Sequence, residues 1–388
     1  MKRKMILFSA IYGLLLAGTN MVHPVTPAFF QSMNYPDYMF GVAFACMSLT
    51  NFLTAPFWGV FSGRLGYIRS FSFGAAGYVV GQLLFFFART PLATALARLV
   101  SGVLVSPFMI GGVLYVSSIA GDEKRGQYVA YLAATQTACS AVGYFVGGML
   151  GTVSIALAFG VQAITCLTAS VLALVLFREE KQADEKETIT LAMLNPFKSL
   201  IEMRDIMDGF LMVFLGVTLF SSFTTNCFDN SFNYYIRDIF AFPTSYNGII
   251  KAAVGLIGML ANLIINPWLV RKGGLRTSIA WVFGIGMVML MLLSSTSVIL
   301  LFVAFALVYY ITNAVYQPIQ QTLGAQSGSG ATYGAFMSIR SLGQMFGGLL
   351  AGVLYALNPR LPFYASAAGF ALAMALSFVN ARQEKQNA

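Results

Sequence analysis

A few ionisable side chains stand in strongly apolar surroundings in this 388-residue chain, and they define the chemistry open to it. His23 is the single histidine, and an imidazole with an ordinary pKa near ~6.5 exchanges protons at physiological pH. Asp229 is the one acid well inside an apolar stretch, while Arg98 and Lys251 are cations in similar settings and Arg340 lies nearer the end of one. Such groups are costly in an apolar medium and mark ion or solute pathways. Polar side chains also recur at helical spacing in three places: Asn20 with His23; Asn226, Asp229, Asn230 and Asn233; and Tyr309, Asn313, Tyr316, Gln317 and Gln320. Spacings of three and four put each set on one helix face. Each set suits hydrogen bonding to a neighbouring helix or to a solute in a wet cavity. Bond-breaking chemistry is poorly supplied, because one His with one carboxylate makes neither a nucleophile–base pair nor a metal site. Neither a His-Glu-x-x-His motif nor a Gly-rich loop ending in Lys-Ser/Thr appears. Cys46, Cys139, Cys166 and Cys227 lie in apolar stretches without metal-type or paired spacing and read as packing residues. No enzymatic activity, cofactor or metal is expected.

The elements that position these residues follow from composition. The chain is 58% hydrophobic and only 10% charged, whereas a soluble domain carries about 25% charged residues. A soluble enzyme, a disordered chain, a coiled coil and a nucleic-acid binder are excluded on that ground. At ~20 apolar residues per crossing the chain allows roughly a dozen membrane helices joined by short loops. Breaks in the apolar pattern give twelve spans: 5–30, 38–61, 70–87, 91–117, 128–150, 154–177, 209–235, 245–270, 277–293, 298–323, 333–357 and 363–379. Helices are required, because lipid cannot satisfy an exposed backbone and the stretches are too long and too uniformly apolar for barrel strands.

Basic residues support that count and explain the net charge of +9. With the N-terminus inside, the inner segments hold Lys2, Arg3, Lys4, Arg64, Arg69, Arg125, Arg178, Arg271 and Arg276 among others, and the outer loops only Arg89, Arg237 and Arg360. A wrong span number would scramble this alternation, so both termini are expected in the cytoplasm of a multi-pass cell-membrane protein. The charged stretch 178–208 reads as a cytoplasmic linker between six-helix halves at 1–177 and 209–388. An internal repeat favours two halves. Arg64, Gly66 and Arg69 after the second span recur 207 positions later as Arg271, Gly273 and Arg276. Gly126, Gly143 and Gly148 recur 204 positions later as Gly330, Gly347 and Gly352. Such repeats typify secondary transporters.

These residues resemble the major facilitator superfamily. Gly59, Arg64, Gly66 and Arg69 fit its loop motif between helices 2 and 3, with Gly63 in place of the motif's Asp. Arg98-Leu-Val-Ser-Gly102 is similar to its motif on helix 4, with Ser101 where Gln is common. Cys139, Gly143, Gly147 and Gly148 approximate its antiporter motif, with Tyr144 in place of Pro. His23-Pro24-Val-Thr-Pro27 resembles an element of the twelve-helix drug:proton antiporter branch. The resemblance implies an all-α protein of two pseudo-symmetric six-helix bundles around a central cavity, working by alternating access. The expected function is proton-coupled efflux of small amphipathic, drug-like compounds by a monomer. The alternatives are uptake or exchange of an anionic or zwitterionic metabolite, and lipid translocation. Substrate contacts are expected from Asn20, His23, Arg98, Asn226, Asp229, Asn230, Lys251, Tyr309, Asn313, Tyr316 and Gln317. Proton exchange is expected at Asp229 or His23, and gating at Arg64, Gly66, Arg69, Gly143, Gly147, Arg271, Gly273 and Gly347. A channel fits less well, since charged pore rings are lacking.

Overall fold

The computed structural model describes the chain apart from residues 1, 37, 121–123, 179–200, 202, 241–249, 251–252, 259, 262–263, 267, 270–273, 327–328 and 388. The regular elements among the described residues are helical. In chain order the long elements are α1 (Lys2–Asn20), α2 (Thr26–Ser32), α3 (Tyr38–Leu65), α4 (Tyr67–Phe87), α5 (Pro91–Ala120), α6 (Arg125–Val153) and α7 (Ile155–Leu176), then α8 (Gly209–Asp238), α9 (Leu275–Ser295), α10 (Ile299–Ala325), α11 (Gly330–Leu357) and α12 (Leu361–Asn387). Nine helices among the described residues are long and apolar enough to cross a membrane. They cover nine of the twelve expected spans. Part of the eighth span, including Lys251, lies outside the described residues, as do Arg271 and Gly273 just after it and most of the expected linker.

One expectation is corrected. The first span is not a continuous helix: it breaks at Met21–Val25, and a seven-residue helix follows. Pro24 and Pro27 explain the break, since neither has the N–H that an unbroken helix would donate to Asn20 and His23. Instead the backbone N–H groups of Val25 and Thr26 both donate to Val22 O, at 3.1 and 3.0 Å, closing a tight turn. Asn20 and His23 therefore do not share a helix face.

The chain packs as two compact units. The first comprises Met1–Ile206 with Gln321–Ser338, the second Met207–Gln320 with Ile339–Ala388. In the first unit α4 packs on α5 and α7, α3 on α5, and α1 on α6 and α7. The segment 321–338 packs on α3: Ser338 Oγ donates to Phe52 O at 2.7 Å, and a Cβ on Gly330 would strike the Gly59 carbonyl. In the second unit α12 packs on both α8 and α9. There Arg276, which is 8% exposed, donates through Nε to Asn380 Oδ1 at 2.7 Å, pairs with Glu384 and lies 4.5 Å over the Phe210 ring.

Each unit repeats one close helix contact. A Cβ on Gly143 would strike the Ala17 carbonyl, and one on Gly147 the Met21 carbonyl, so α6 lies backbone to backbone against the first span. In the second unit a Cβ on Gly343 would strike the Leu219 carbonyl and one on Gly347 the Phe223 carbonyl, placing α11 against α8 in the same way. Small residues spaced by four permit such an approach in a bilayer, where packing rather than hydrophobicity holds helices together. The turns ahead of α4 and α9 also correspond. Gly66 and Gly274 both have positive φ, 100° and 63°, a region that costs little only for glycine.

Candidate functional site

In the first unit the break in the opening span organises the polar residues. His23 sits on the turn, partly buried, with its ring sandwiched between Phe44 of α3 and Tyr144 of α6. Ring centroids are 5.5 and 5.6 Å apart and the planes lie within 21° and 20° of parallel. Aromatic faces suit an imidazole in either charge state, stacking with the neutral ring and attracting the cation. Just before the turn, Asn20 Nδ2 donates to Leu16 O at 2.8 Å and to Ser140 Oγ of α6 at 3.1 Å. The Thr19 carbonyl accepts from Tyr78 Oη of α4 and from Gln162 Nε2 of α7, both at 3.3 Å. A helix end leaves carbonyls without backbone donors, and in lipid such groups must be met by neighbouring helices.

Arg98 lies inside α5 and is only 3% exposed. Its guanidinium stands 3.7 Å over the Phe85 ring and 4.0 Å from Met47 Sδ. No carboxylate pairs with it among the described residues, and the ranges of α1 to α7 contain no Asp or Glu. The charge is met instead by the electron-rich ring face and a polarisable thioether. Asn51 of α3 accepts a short hydrogen bond from Ser106 of α5, close to Thr54.

In the second unit the two polar stripes meet. Asp229 of α8, partly buried, accepts from Tyr310 Oη of α10 at 3.0 Å. Asn230 Nδ2 donates to Asn226 Oδ1 at 2.6 Å and to Asn226 O at 3.0 Å. Thr225 and Tyr316 share a short hydrogen bond, and Gln320 Nε2 donates to Ser221 Oγ at 3.1 Å. Gln317 donates to Asn313 within α10. Tyr309 and Tyr316 are fully enclosed: Tyr309 packs 4.0 Å from Phe228 between centroids, and Tyr316 4.9 Å from Phe283. Their rings form part of the unit's core, while Asn226, Asp229, Asn230 and Gln317 remain partly exposed.

The structure thus gathers Asn20 and His23 in the first unit and the Asn226–Asn230 and Tyr309–Gln320 stripes in the second. Three residues prominent here were missed at the level of sequence: Tyr78, Gln162 and Tyr310. Tyr78 and Gln162 matter through a partner on another helix, which spacing along their own helices does not show. Tyr310 lies on the helix of the recognised stripe, three residues before Asn313, and its partner Asp229 lies on α8.

Comparison with known proteins bears on the whole chain. The family model described as Major Facilitator Superfamily matches residues 8–347. Multidrug resistance protein 1 of Bacillus subtilis (strain 168) is 23% identical over 372 residues, covering 93% of this chain and 92% of that protein. Quinolone resistance protein NorA of Staphylococcus aureus (strain N315) is 21% identical over 396 residues, covering 100% and 99%. Among solved structures, the human organic anion transporter MFSD10 (TETRAN) superposes with a TM-score of 0.79 at 16% identity, over 96% of this chain and 99% of that one. The transporter FucP in its outward conformation gives 0.72 at 12% identity, over 97% and 98%. At such identities the two structures speak for the fold alone. A twelve-span, all-helical architecture is consistent with them.

Proposed function

The chain is a member of the major facilitator superfamily and a multi-pass membrane transporter, and from that premise we propose that it exports small amphipathic, drug-like organic compounds in exchange for protons. The observation that carries this reading is the full-length likeness to a multidrug and a quinolone resistance protein. The chemistry of the two units agrees with it. Amides, a phenol and one carboxylate on α8 and α10, beside a large aromatic complement, suit solutes with both polar and apolar parts. His23 and Asp229 are the imidazole and the carboxylate set among these polar groups, and we assign the coupling proton to one or other of them. Asn20, Asn226, Asn230, Asn313 and Gln317 would contact solute. Uptake of an anionic metabolite depends on Arg98 and Lys251 as attracting charges. The enclosure of Arg98 against Phe85 and Met47 favours export over that alternative.

The protein would act in the cell membrane with both termini cytoplasmic, as the Lys and Arg distribution favours. A single chain would be the working unit. Arg64, Gly66, Arg69, Gly143, Gly147, Arg271, Gly273 and Gly347 would serve the gates. The glycine contacts on α6 and α11 support that role, because smooth backbone surfaces allow helices to slide as well as pack.

The test uses purified protein in liposomes carrying an internal pH dye. Cationic, neutral and anionic solutes are screened against wild type, Asp229→Asn, His23→Gln and Arg98→Ala. Proton movement triggered by amphipathic solutes, and lost in Asp229→Asn or His23→Gln, is the expected result. Solute flux without proton movement overturns proton exchange, and proton-independent flux of anions alone overturns the drug-export reading as well.

A further inference from the structure

The break in the first span is held from two sides. On one side α6 presents its glycine surface, so that Met21 and Val25 rest directly against Gly147 and Gly151. On the other side the Thr19 carbonyl, in the last turn of α1, takes hydrogen bonds from Tyr78 of α4 and Gln162 of α7. Both donors are enclosed, Tyr78 being 2% exposed and Gln162 1%. Four residues beyond Thr19 the chain delivers His23 into the slot between Phe44 and Tyr144. Proline alone does not fix that geometry: it removes helical hydrogen bonds and leaves the direction of the following residues open. The direction is set by where the carbonyls at the end of α1 find donors, and Thr19 O finds them on α4 and α7.

We propose that Tyr78 and Gln162 are positioning residues: by capping the Thr19 carbonyl they hold the first span open over Met21–Val25 and so keep His23 in its slot between Phe44 and Tyr144. The purpose of the slot rests on the reading of His23 as a proton carrier, whereas the positioning itself does not. Neither side chain need touch solute or proton. Each acts through the backbone of the helix break.

The single histidine makes the test direct, since protein labelled with isotopic histidine and purified without a histidine tag gives one imidazole resonance. Parallel stacking on two rings displaces that resonance upfield of free histidine. In Tyr78→Phe and Gln162→Met, which keep shape and remove the donor, it moves toward the free value, furthest in the double variant. Amide hydrogen exchange across residues 21–26 rises about fivefold for each lost hydrogen bond. Ser170→Ala provides the control, because Ser170 Oγ donates to Ser72 O at 2.9 Å between the same two helices without touching Thr19. It leaves the imidazole resonance in place. A resonance and exchange pattern unchanged in the double variant overturns the proposal, as does an equal change in Ser170→Ala. Normal proton coupling in His23→Gln would remove His23 from the transport mechanism and leave the positioning result standing, so the two failures are separable.

Discussion

The Tyr310 hydroxyl donates to the Asp229 carboxylate at 3.0 Å, tying α10 to α8 at the one acid well inside the apolar spans. A phenol held against a carboxylate in this way orients it and offsets part of its desolvation. Tyr310→Phe removes the donor and keeps the ring that packs 5.5 Å from Phe228. Solute-driven proton movement is expected to persist at a reduced rate in Tyr310→Phe and to disappear in Asp229→Asn. The thermal unfolding of Tyr310→Phe should show a loss of about 1.5–3 kcal/mol, the range for a hydrogen bond to a charged group. Solute-driven proton movement retained in Asp229→Asn would remove Asp229 from the proton path.

Glycines in this chain divide into two kinds, and alanine substitutions separate them. At Gly147 and Gly347 a Cβ would strike a backbone carbonyl of the facing span, which cannot move aside alone. Gly147→Ala and Gly347→Ala should each cost about 1–3 kcal/mol in unfolding measurements and reduce transport. At Gly160 and Gly352 nothing lies within 4 Å of a Cβ. There alanine should be neutral or raise stability by up to ~1 kcal/mol, because it is the better helix former. Transport should be unaffected.

Arg276 and Glu384 join the start of α9 to the end of α12, the cation enclosed and the carboxylate 43% exposed. Their burial predicts an asymmetry. Glu384→Gln leaves a buried guanidinium without its counter-charge, whereas Arg276→Met leaves a carboxylate that water can reach. A double-mutant cycle on unfolding should return a coupling of about 0.5–3 kcal/mol, with Arg276→Met also losing its contact with Phe210. Strict additivity would show that the pair contributes nothing as a pair.

Arg98 should not tolerate lysine. Its planar group lies on the Phe85 ring, a contact that a compact, strongly hydrated ammonium reproduces poorly. Arg98→Lys is expected to impair transport nearly as severely as Arg98→Ala, and Phe85→Leu to weaken it by an intermediate amount, measured as initial rates in liposomes. Full activity in Arg98→Lys would show that charge alone suffices.

The architecture was legible in the sequence because membrane helices declare themselves through length and apolarity. The glycine pattern on α6 and α11 was legible too, since backbone contact demands small residues at a fixed spacing. The break at Met21–Val25 was less so. Pro24 and Pro27 are visible, but a proline in a membrane helix can kink it or divide it, and the choice depends on neighbours far along the chain. Those neighbours, Tyr78 and Gln162, lie on other helices, and nothing in the spacing along those helices points to Thr19. Pairing across helices, as between Asp229 and Tyr310, is likewise a property of packing that spacing within one helix does not reveal. The grouping of residues 321–338 with the first unit had no compositional mark at all.

Arg98 has an electrical consequence of its own. The ranges of α1 to α7 carry this enclosed cation and no acid to cancel it. Moving one elementary charge across the full membrane potential involves about 2.3 kcal/mol per 100 mV. Any displacement of α5 along the membrane normal therefore performs electrical work in proportion to the fraction of the field crossed, even when the transported solute is neutral. The voltage across the membrane acts on the protein itself, as well as on the ions it exchanges.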